Sequence, residues 1–373
     1  MGTAERILTD LFSRAGVAVD GPAPWDITVH DRRFFGRVLR HKNLGLGESY
    51  MDGWWDCPAV DELICRLLTA RLDETVRDSP RLALAALPAR LVNLQTRRGS
   101  RVVGRRHYDL GNDLFLGFLD ANIQYSCAYF RNGDDLDTAQ RRKLDLICDK
   151  LGLSPDHTLL DIGCGWGGLA RFAAATRGCA VTAVNISREQ TRFAREFCAG
   201  LPVQVLRQDY REVEGRFDRV VSVGMFEHVG RKNHRSFMKT ARRLLRDGGV
   251  FLLHTIGNNE SLSACDPWIA KYVFPRGLIP SIAQIARAAE GLFVMEDWHN
   301  LGPHYDRTLM AWHANFQQAW AGLAERYGPR FKRRWDYYLL SCAGAFRARS
   351  IQLWQIVFTP YGTSQPCCRL GGN

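Results

Sequence analysis

The sequence predicts an α/β fold with a doubly wound, mostly parallel sheet and a smaller helical domain at the N-terminus. From about residue 150 onward, short apolar strands alternate with helical segments, and such alternation produces right-handed crossovers between parallel strands. Before residue 95, apolar residues recur at helical spacing instead. A chain of 373 residues is long enough for two domains. We therefore expect a helical domain over residues 1–95, a linker over 96–106 and an α/β domain over 107–373.

The N-terminal part contains three apolar stretches with helical periodicity. They are Leu8–Phe12, Phe34–Leu39 and Leu82–Leu94, the last with Pro88 inside it. The glycine-rich segment NLGLGESYMDGWWD, residues 43–56, predicts a turn-rich connection anchored by aromatic rings. Trp54 and Trp55 fit two interpretations, either packing in the core or forming a surface that touches lipid.

The elements of the α/β domain follow from apolar runs and the breaks between them. The predicted strands are Leu159–Ile162, Ala180–Ile186, Val203–Arg207, Asp218–Val223 and Val250–Ile256, with Leu292–Trp298 and Ile351–Phe358 as two last strands. The predicted helices are Leu169–Thr176, Arg188–Cys198, Arg235–Leu245 and the long stretch Thr308–Tyr327.

Composition limits the classes of protein that remain. No run of eighteen apolar residues occurs, and the first residues lack the layout of a secretory signal, so we expect a cytoplasmic protein. The eleven cysteines form no regular framework, which favours reduced thiols; Cys367 and Cys368 lie in a Gly/Pro-rich tail that reads as disordered. The formal charge of +11 indicates attraction to an anionic partner, either nucleic acid or an acidic membrane surface.

A basic linker carries part of this charge. The segment RRGSRVVGRR, residues 97–106, holds five arginines and two glycines, which is typical of a flexible, solvated connector. It could also contact phosphate headgroups. Elsewhere the basic residues are dispersed, and no zinc-finger, homeodomain or RNA-binding signature is present, which argues against nucleic acid.

A glycine-rich turn follows the first strand of the α/β domain. In LLDIGCGWGG, Asp161 ends the strand, and Gly163, Gly165 and Gly167 allow a ligand to approach the backbone closely. The spacing differs from the dinucleotide fingerprint, and the second strand ends in Asn185 rather than an acidic residue. An acidic residue before the glycines instead suits a ligand with an ammonium group, such as the methionyl end of S-adenosylmethionine. With VTAVNIS, RQDY, FDRVVSVGMFEHVG and LLRDGGVFLL, the pattern predicts a Rossmann-like S-adenosylmethionine methyltransferase fold with a seven-stranded sheet.

Several long strings resemble those of the bacterial cyclopropane fatty acid synthases. They are GLGESYMDGWW (45–55), HYDLGNDLF (107–115), QYSCAYF (124–130), LDIGCGWGG, SVGMFEHVG, LLHTIG (252–257), EDWHNLGPHYDRTLMAW (296–312) and CAGAFRARSIQLWQ (342–355). The resemblance covers residues 1 to about 358. It implies an enzyme that transfers a methylene group from S-adenosylmethionine to the cis double bond of unsaturated phospholipid acyl chains. It also implies a homodimer, an N-terminal domain that engages lipid, and peripheral association with the inner face of the membrane.

The resemblance also assigns site residues. Methyl transfer to an alkene gives a carbocation, and loss of a proton from the transferred methyl closes the ring, so a base is required; in the family, bicarbonate serves as this base. The matching bicarbonate positions are Cys127, Glu227, His254, Ile256 and Tyr305. The predicted cofactor positions are Tyr125, Ser126, Asp161, Gly163, Gly165, Gly167, Asn185, Ser187, Gln190, Asp209 and Tyr210. Asn185 stands where relatives often have threonine, and no metal site is predicted.

Two alternatives accompany this prediction. Cys342 in SCAGAFR is a candidate thiolate nucleophile, but direct methyl transfer needs no covalent enzyme intermediate, and the small neighbours Ala343 and Gly344 indicate helix packing. The runner-up function is a methyltransferase of the same fold that methylates an acyl chain or a small molecule without ring closure.

Overall fold

The computed structural model describes residues 2–72, 111–275 and 277–368. Two compact units form the chain. The first, called the helical unit here, comprises Met1–Val92, Ser263–Pro275 and Tyr305–Ile351. The second, the sheet unit, comprises Asn93–Leu262, Arg276–His304 and Gln352–Asn373. The helical unit therefore includes two segments from later in the chain. The predicted division into 1–95 and 107–373 was contiguous and did not include them. The predicted linker and the stretch Leu82–Leu94 lie outside the described residues.

The helical unit contains short helices and a two-stranded ribbon. Its helices are α1 (Thr3–Arg14), α2 (Arg33–Met51), α3 (Val60–Thr69), α9 (Pro267–Tyr272) and most of α11 (Gly302–Arg347); β1 (Thr28–Val29) pairs antiparallel with β2 (Trp55–Asp56). The predicted apolar faces are buried, with Leu8 and Phe12 inside α1 and Phe34 and Phe35 inside α2. Helix α11 is broken at Gly328, whose φ is 72°, and continues past Pro329 beyond the predicted end.

The segment predicted as a turn-rich connection is largely helical, so that prediction was wrong. Residues 43–51 belong to α2 after a break at Lys42. Gly45 and Gly47 serve close packing rather than turning: a Cβ on Gly47 would lie 2.5 Å from Trp268, and one on Gly45 would lie 2.5 Å from the carbonyl oxygen of Arg37. Gly53, with φ 72°, lies in the turn after α2. Trp55 is fully buried and donates its ring N–H to the Leu46 carbonyl, as core packing requires.

Gly322 offers a simple test of helix energetics. It is exposed within α11, and a Cβ at this position would meet no atom within 4 Å. Gly322→Ala should therefore stabilise the protein by about 0.5–1 kcal/mol, because glycine loses more backbone entropy in a helix than alanine does. Thermal unfolding checks the expectation; a lower melting temperature would contradict it.

The sheet unit is built on seven strands in the order β5-β4-β3-β6-β7-β9-β8. The strands are β3 (Thr158–Ile162), β4 (Ala180–Asn185), β5 (Val203–Arg207), β6 (Phe217–Val223), β7 (Leu245–Asn258), β8 (Val294–Asn300) and β9 (Ile351–Thr359). Strands β3 to β7 pair in parallel, whereas β8 runs antiparallel to β9. This confirms the predicted seven-stranded, Rossmann-like methyltransferase architecture. Strand β7 starts five residues before its predicted first residue, with an irregularity in its pairing to β6 around Gly248 and Gly249.

Helices cover the sheet, which is apolar on both faces. The helices of this unit are α4 (Asn112–Leu116), α5 (Leu136–Lys150), α6 (Gly168–Arg177), α7 (Arg188–Phe197), α8 (His234–Leu244) and α10 (Ile282–Ala289). One core cluster joins the sheet to α5 and α6, and a second joins it to α8 and α10. The tail expected to be disordered reaches the first cluster, where Cys368 is buried. All eleven cysteines are free thiols.

The strand order fixes where a ligand can bind. From β3 the chain moves outward through β4 and β5, then returns to the other side of β3 as β6. The loops after β3 and β6 therefore diverge at the carboxyl edge and leave a crevice, which is the usual ligand site of open α/β sheets.

Candidate active site

A pocket opens in this crevice. The loops after β3, β4, β5 and β6 line it together with residues 123–126. Ten of the eleven predicted cofactor residues are in its wall: Tyr125, Ser126, Asp161, Gly163, Gly165, Asn185, Ser187, Gln190, Asp209 and Tyr210. The fold thus brings these ten positions together around one pocket.

The three turn glycines have different roles. Gly163, at φ 86°, lies so close to Met225 that a Cβ would stand 2.8 Å from that side chain. Gly165, at φ 56°, faces open space within the pocket wall, where a side chain would take the room of a ligand. Gly167 does not line the pocket; a Cβ there would stand 3.0 Å from Ala194, so this glycine permits α6 and α7 to pack closely.

Asp161 supplies a buried carboxylate to the pocket. Its Oδ2 atom has no hydrogen-bond partner among the described residues, although it is shielded from solvent. Burial raises the pKa of Asp161 to about 7, and the positive charge of Lys143 opposes that rise. A buried carboxylate oxygen without a partner is costly in free energy, so the site suits a ligand that brings a positive charge or N–H groups.

The loop after β4 is held by its own polar side chains. Asn185 donates one amide N–H to the Gly165 carbonyl at 3.2 Å and one to the Gln190 side-chain oxygen at 2.8 Å. Ser187 caps α7, and its hydroxyl accepts from the Gln190 backbone N–H. Asn185 therefore ties the glycine turn to the start of α7, a link that a shorter threonine side chain would not make in the same way.

Asp209 and Tyr210 form the wall after β5. The Asp209 carboxylate accepts hydrogen bonds from the backbone and the guanidinium of Arg211, so both oxygens already have partners. The Tyr210 ring packs against Phe237, and burial raises the pKa of its hydroxyl to about 12.

Glu227 lies beside this pocket, in the 3₁₀ turn that follows β6. Its Oε1 atom accepts the backbone N–H of Ile256 at 2.7 Å, and its Oε2 atom has no hydrogen-bond partner among the described residues. Burial raises the pKa of Glu227 to about 7, against the lowering effect of the Ile256 N–H. The Ile256 amide thus orients Glu227, and the place of Ile256 in a bicarbonate site stays a prediction.

His254 and Cys127 flank the same region. His254, in β7 beside Val223 of β6, is fully buried; its Nδ1 lies 3.3 Å from the Gln355 amide nitrogen, and its Nε2 has no hydrogen-bond partner among the described residues. Burial, aided by Lys143 and Lys150, holds the pKa of His254 well below its usual range, so the ring is neutral and can donate one N–H. Cys127 is fully buried, next to Ser126 of the pocket wall.

Tyr305 and Cys342 belong to the helical unit, so their place in a site with Glu227 stays a prediction. The Tyr305 ring is buried and packs against Phe346 with centroids 4.5 Å apart. Burial raises the pKa of the Cys342 thiol to about 12, with Asp266 and Cys265 adding to the rise. Cys342 is therefore a neutral thiol at physiological pH, which does not favour the nucleophile interpretation.

Cys342→Ala should leave turnover within about threefold of wild type, because a thiol that stays protonated is a poor nucleophile. The measurement is the initial rate of methylene transfer, with Cys265→Ala as the matched control for a neighbouring thiol that burial also keeps neutral. Loss of activity confined to the Cys342 variant would restore the cysteine as a catalytic group.

Some pocket residues were not predicted from the sequence. They include Gln124, Trp166, Gln208, Met225 and His228. All five lie inside the strings QYSCAYF, LDIGCGWGG, RQDY and SVGMFEHVG, so including every residue of these strings would have found them. The described residues contain no group of three or more His, Cys, Asp or Glu side chains placed to hold a metal.

Comparison with known proteins supplies the context for this geometry. Residues 95–356 match the family model described as mycolic acid cyclopropane synthetase. The cyclopropane-fatty-acyl-phospholipid synthase of Escherichia coli strain K12 is 52% identical over 354 residues, covering 95% of this chain and 93% of that protein. A tuberculostearic acid methyltransferase of Mycobacterium tuberculosis is 35% identical, covering 86% and 79%. A crystal structure of a mycolic acid cyclopropane synthase complexed with SAH and CTAB superposes with a TM-score of 0.63 at 34% identity, covering 69% of this chain and 97% of that one.

Proposed function

This chain belongs to the mycolic acid cyclopropane synthetase family, and we propose that it transfers a methylene group from S-adenosylmethionine to the cis double bond of unsaturated phospholipid acyl chains. The observation that carries the proposal is the 52% identity over nearly the whole chain to a cyclopropane-fatty-acyl-phospholipid synthase. The enzyme class, a methyltransferase-type transferase that uses S-adenosylmethionine, follows from the same relationship.

The pocket fits the cofactor at two points. Asp161 presents a buried carboxylate oxygen without a protein partner, which suits the methionyl ammonium group. Gly165 leaves open space where the backbone must approach the ligand. When bound, S-adenosylmethionine supplies an electrophilic methyl group on a sulfonium. The loops after β3, β4 and β5 would hold it there, and the Asn185 link keeps two of these loops together.

Ring closure requires removal of one proton, and we assign its acceptor to a bicarbonate ion beside Glu227. The π electrons of the alkene would form a bond to the sulfonium methyl as the bond from that methyl to sulfur breaks, which would release S-adenosylhomocysteine and leave a carbocation on the acyl chain. Bicarbonate would accept the proton lost from the new methyl group, while the electron pair of that C–H bond forms the third side of the ring. Neutral His254 can donate an N–H to the anion, while ionised Glu227 accepts the bicarbonate hydroxyl through Oε2. Cys127, Ile256 and Tyr305 are the other positions that the family resemblance assigns to bicarbonate.

We propose that the protein meets its phospholipid substrate at an anionic membrane surface. The net charge of +11 supports it. None of the helices in the described part of the chain has the length and hydropathy to span a bilayer. We propose peripheral association with the inner face of the membrane and a homodimer. Cosedimentation with anionic against zwitterionic vesicles tests the first, and sedimentation equilibrium tests the second.

A methyltransferase that does not close the ring is the second candidate, and the relationship to a tuberculostearic acid methyltransferase favours it. One incubation separates the two: purified protein, labelled S-adenosylmethionine and vesicles of unsaturated phospholipid. Both products gain about 14 mass units, the mass of CH₂, so proton NMR of the lipid decides. A cyclopropane with no remaining olefin signal supports the synthase. A methyl-branched product that keeps its olefin signal would replace it by the second candidate.

A further inference from the structure

Lys143 is a buried cation directly behind the cofactor pocket. It lies on α5, and none of its surface is exposed. Its amino group donates to the side-chain oxygen of Gln124 at 2.6 Å and to the hydroxyl of Ser126 at 2.9 Å. Both partners are neutral, and both line the pocket. Burying an ammonium group against neutral oxygens is costly, so this position calls for a functional explanation.

A second residue of α5 holds the same wall. Gln140, three positions before Lys143, is fully buried and donates its amide N–H to the Ser126 carbonyl at 2.9 Å. Together the two side chains fix both the backbone and the side chains of the segment 124–126. The geometry of this wall therefore depends on α5, which does not itself line the pocket.

The charge of Lys143 faces two carboxylates. Burial raises the pKa of both Asp120 and Asp161, and the positive charge of Lys143 lowers the pKa of each. Burial in turn lowers the pKa of Lys143 to about 8, against the raising effects of Asp120, Cys127 and Asp161. Cys164 and Cys198 also face Asp161, but burial raises the pKa of both thiols, so they stay neutral. His254 faces Lys143 and is neutral as well.

We infer that Lys143 is a positioning residue for the cofactor. Its amino group holds Gln124 and Ser126 in the pocket wall, and its charge keeps Asp161 ionised so that the carboxylate can bind the ammonium group of the cofactor. The inference rests on the cofactor assignment of the proposed function, and it adds a residue that never touches the cofactor.

The inference predicts how affinity depends on pH. Protonated Asp161 binds an ammonium group poorly, so the affinity of the wild type for S-adenosylhomocysteine should rise as pH increases through about 7, the pKa of Asp161. Lys143→Met removes the positive charge, so the pKa of Asp161 should rise further. The increase in affinity should then occur about one pH unit higher than in the wild type. Near pH 7.5 the variant should bind about threefold more weakly, and the difference should approach about tenfold near pH 6.

Calorimetric titration with S-adenosylhomocysteine between pH 6 and 9 tests this. The matched control is the double variant Lys150→Met with Asp297→Asn, which removes a buried ion pair that involves the same helix, α5, and should keep the wild-type profile. Lys143→Arg retains the charge with a different shape; its affinity should fall while the pH midpoint stays unchanged. Because this variant keeps the cation, the test stands even if Lys143→Met does not fold.

A double-mutant cycle separates electrostatics from packing. In the Asp161→Asn background, Lys143→Met should lose its pH-dependent effect, because the group that it influences no longer titrates. An unchanged profile in Lys143→Met, or a loss that is equal at every pH and persists with Asp161→Asn, would reject the role of Lys143 while leaving the proposed function intact. Failure of the wild type to bind S-adenosylhomocysteine would reject the cofactor assignment and both proposals with it.

Discussion

Glu227→Gln should lower turnover by about 10²–10⁴-fold, the range that proton-transfer catalysis usually contributes. The affinity for S-adenosylhomocysteine should stay within about twofold of wild type, because the described residues that line the cofactor pocket do not include Glu227. The substitution keeps the size and the Oε1 acceptor for the Ile256 N–H. It replaces the Oε2 acceptor by an N–H donor, which can no longer accept the hydroxyl of bicarbonate.

The measurements are the initial rate of methylene transfer to phospholipid vesicles and a calorimetric titration on the same preparation. Glu260→Gln is the matched control, because Glu260 is exposed just after β7 and the substitution removes the same charge. The assignment predicts normal rates for the control and a selective loss for Glu227→Gln. An active Glu227→Gln enzyme would show that another group orients the base.

The sequence was sufficient to predict the strands of the sheet, because the apolar residues of strands and of amphipathic helices recur with different periods. Strands β3, β4, β5 and β6 lie within one residue of their predicted ends, since each is a short run rich in apolar residues and bounded by polar or glycine turns. Strand ends then located Asp161 and Glu227, because parallel strands place their carboxyl ends along one edge.

Glycine misled the prediction where its role is packing. Gly45 and Gly47 lie inside α2, where their neighbours leave no space for a Cβ. No local pattern reveals this for Gly47, since its neighbour Trp268 lies more than 200 positions away in the chain. The same reason explains the noncontiguous helical unit, which brings Ser263–Pro275 and Tyr305–Ile351 together with the N-terminal residues.

Hydrogen-bond direction was equally hidden from the sequence. The Ile256 N–H donates to Glu227, a contact that the string LLHTI does not reveal. The sequence pattern does not single out Lys143, although its buried side chain holds Gln124 and Ser126 in place. Which polar groups meet is decided by tertiary packing, and spacing along the chain does not record it.

The substitution expected to abolish catalysis should also stabilise the protein above neutral pH. The folded protein holds the pKa of Glu227 at about 7, whereas its ordinary value, which applies in the unfolded chain, is 4.5. Between these values the folded state keeps a proton that the unfolded state has released, so wild-type stability falls as pH rises from 4.5 to about 7. The full difference corresponds to about 3 kcal/mol at pH 8.

Glutamine mimics the protonated side chain at every pH, so Glu227→Gln avoids this cost. The variant should match wild type at pH 4, where Glu227 is protonated in the folded state, and exceed it by about 3 kcal/mol at pH 8. Urea unfolding at both pH values measures the difference, and Glu325→Gln on the exposed face of α11 should produce none. A variant that is no more stable than wild type at pH 8 would mean that Glu227 is ionised without cost in the folded protein. A gain that grows with pH would instead show that the group needed for turnover is kept at the expense of stability.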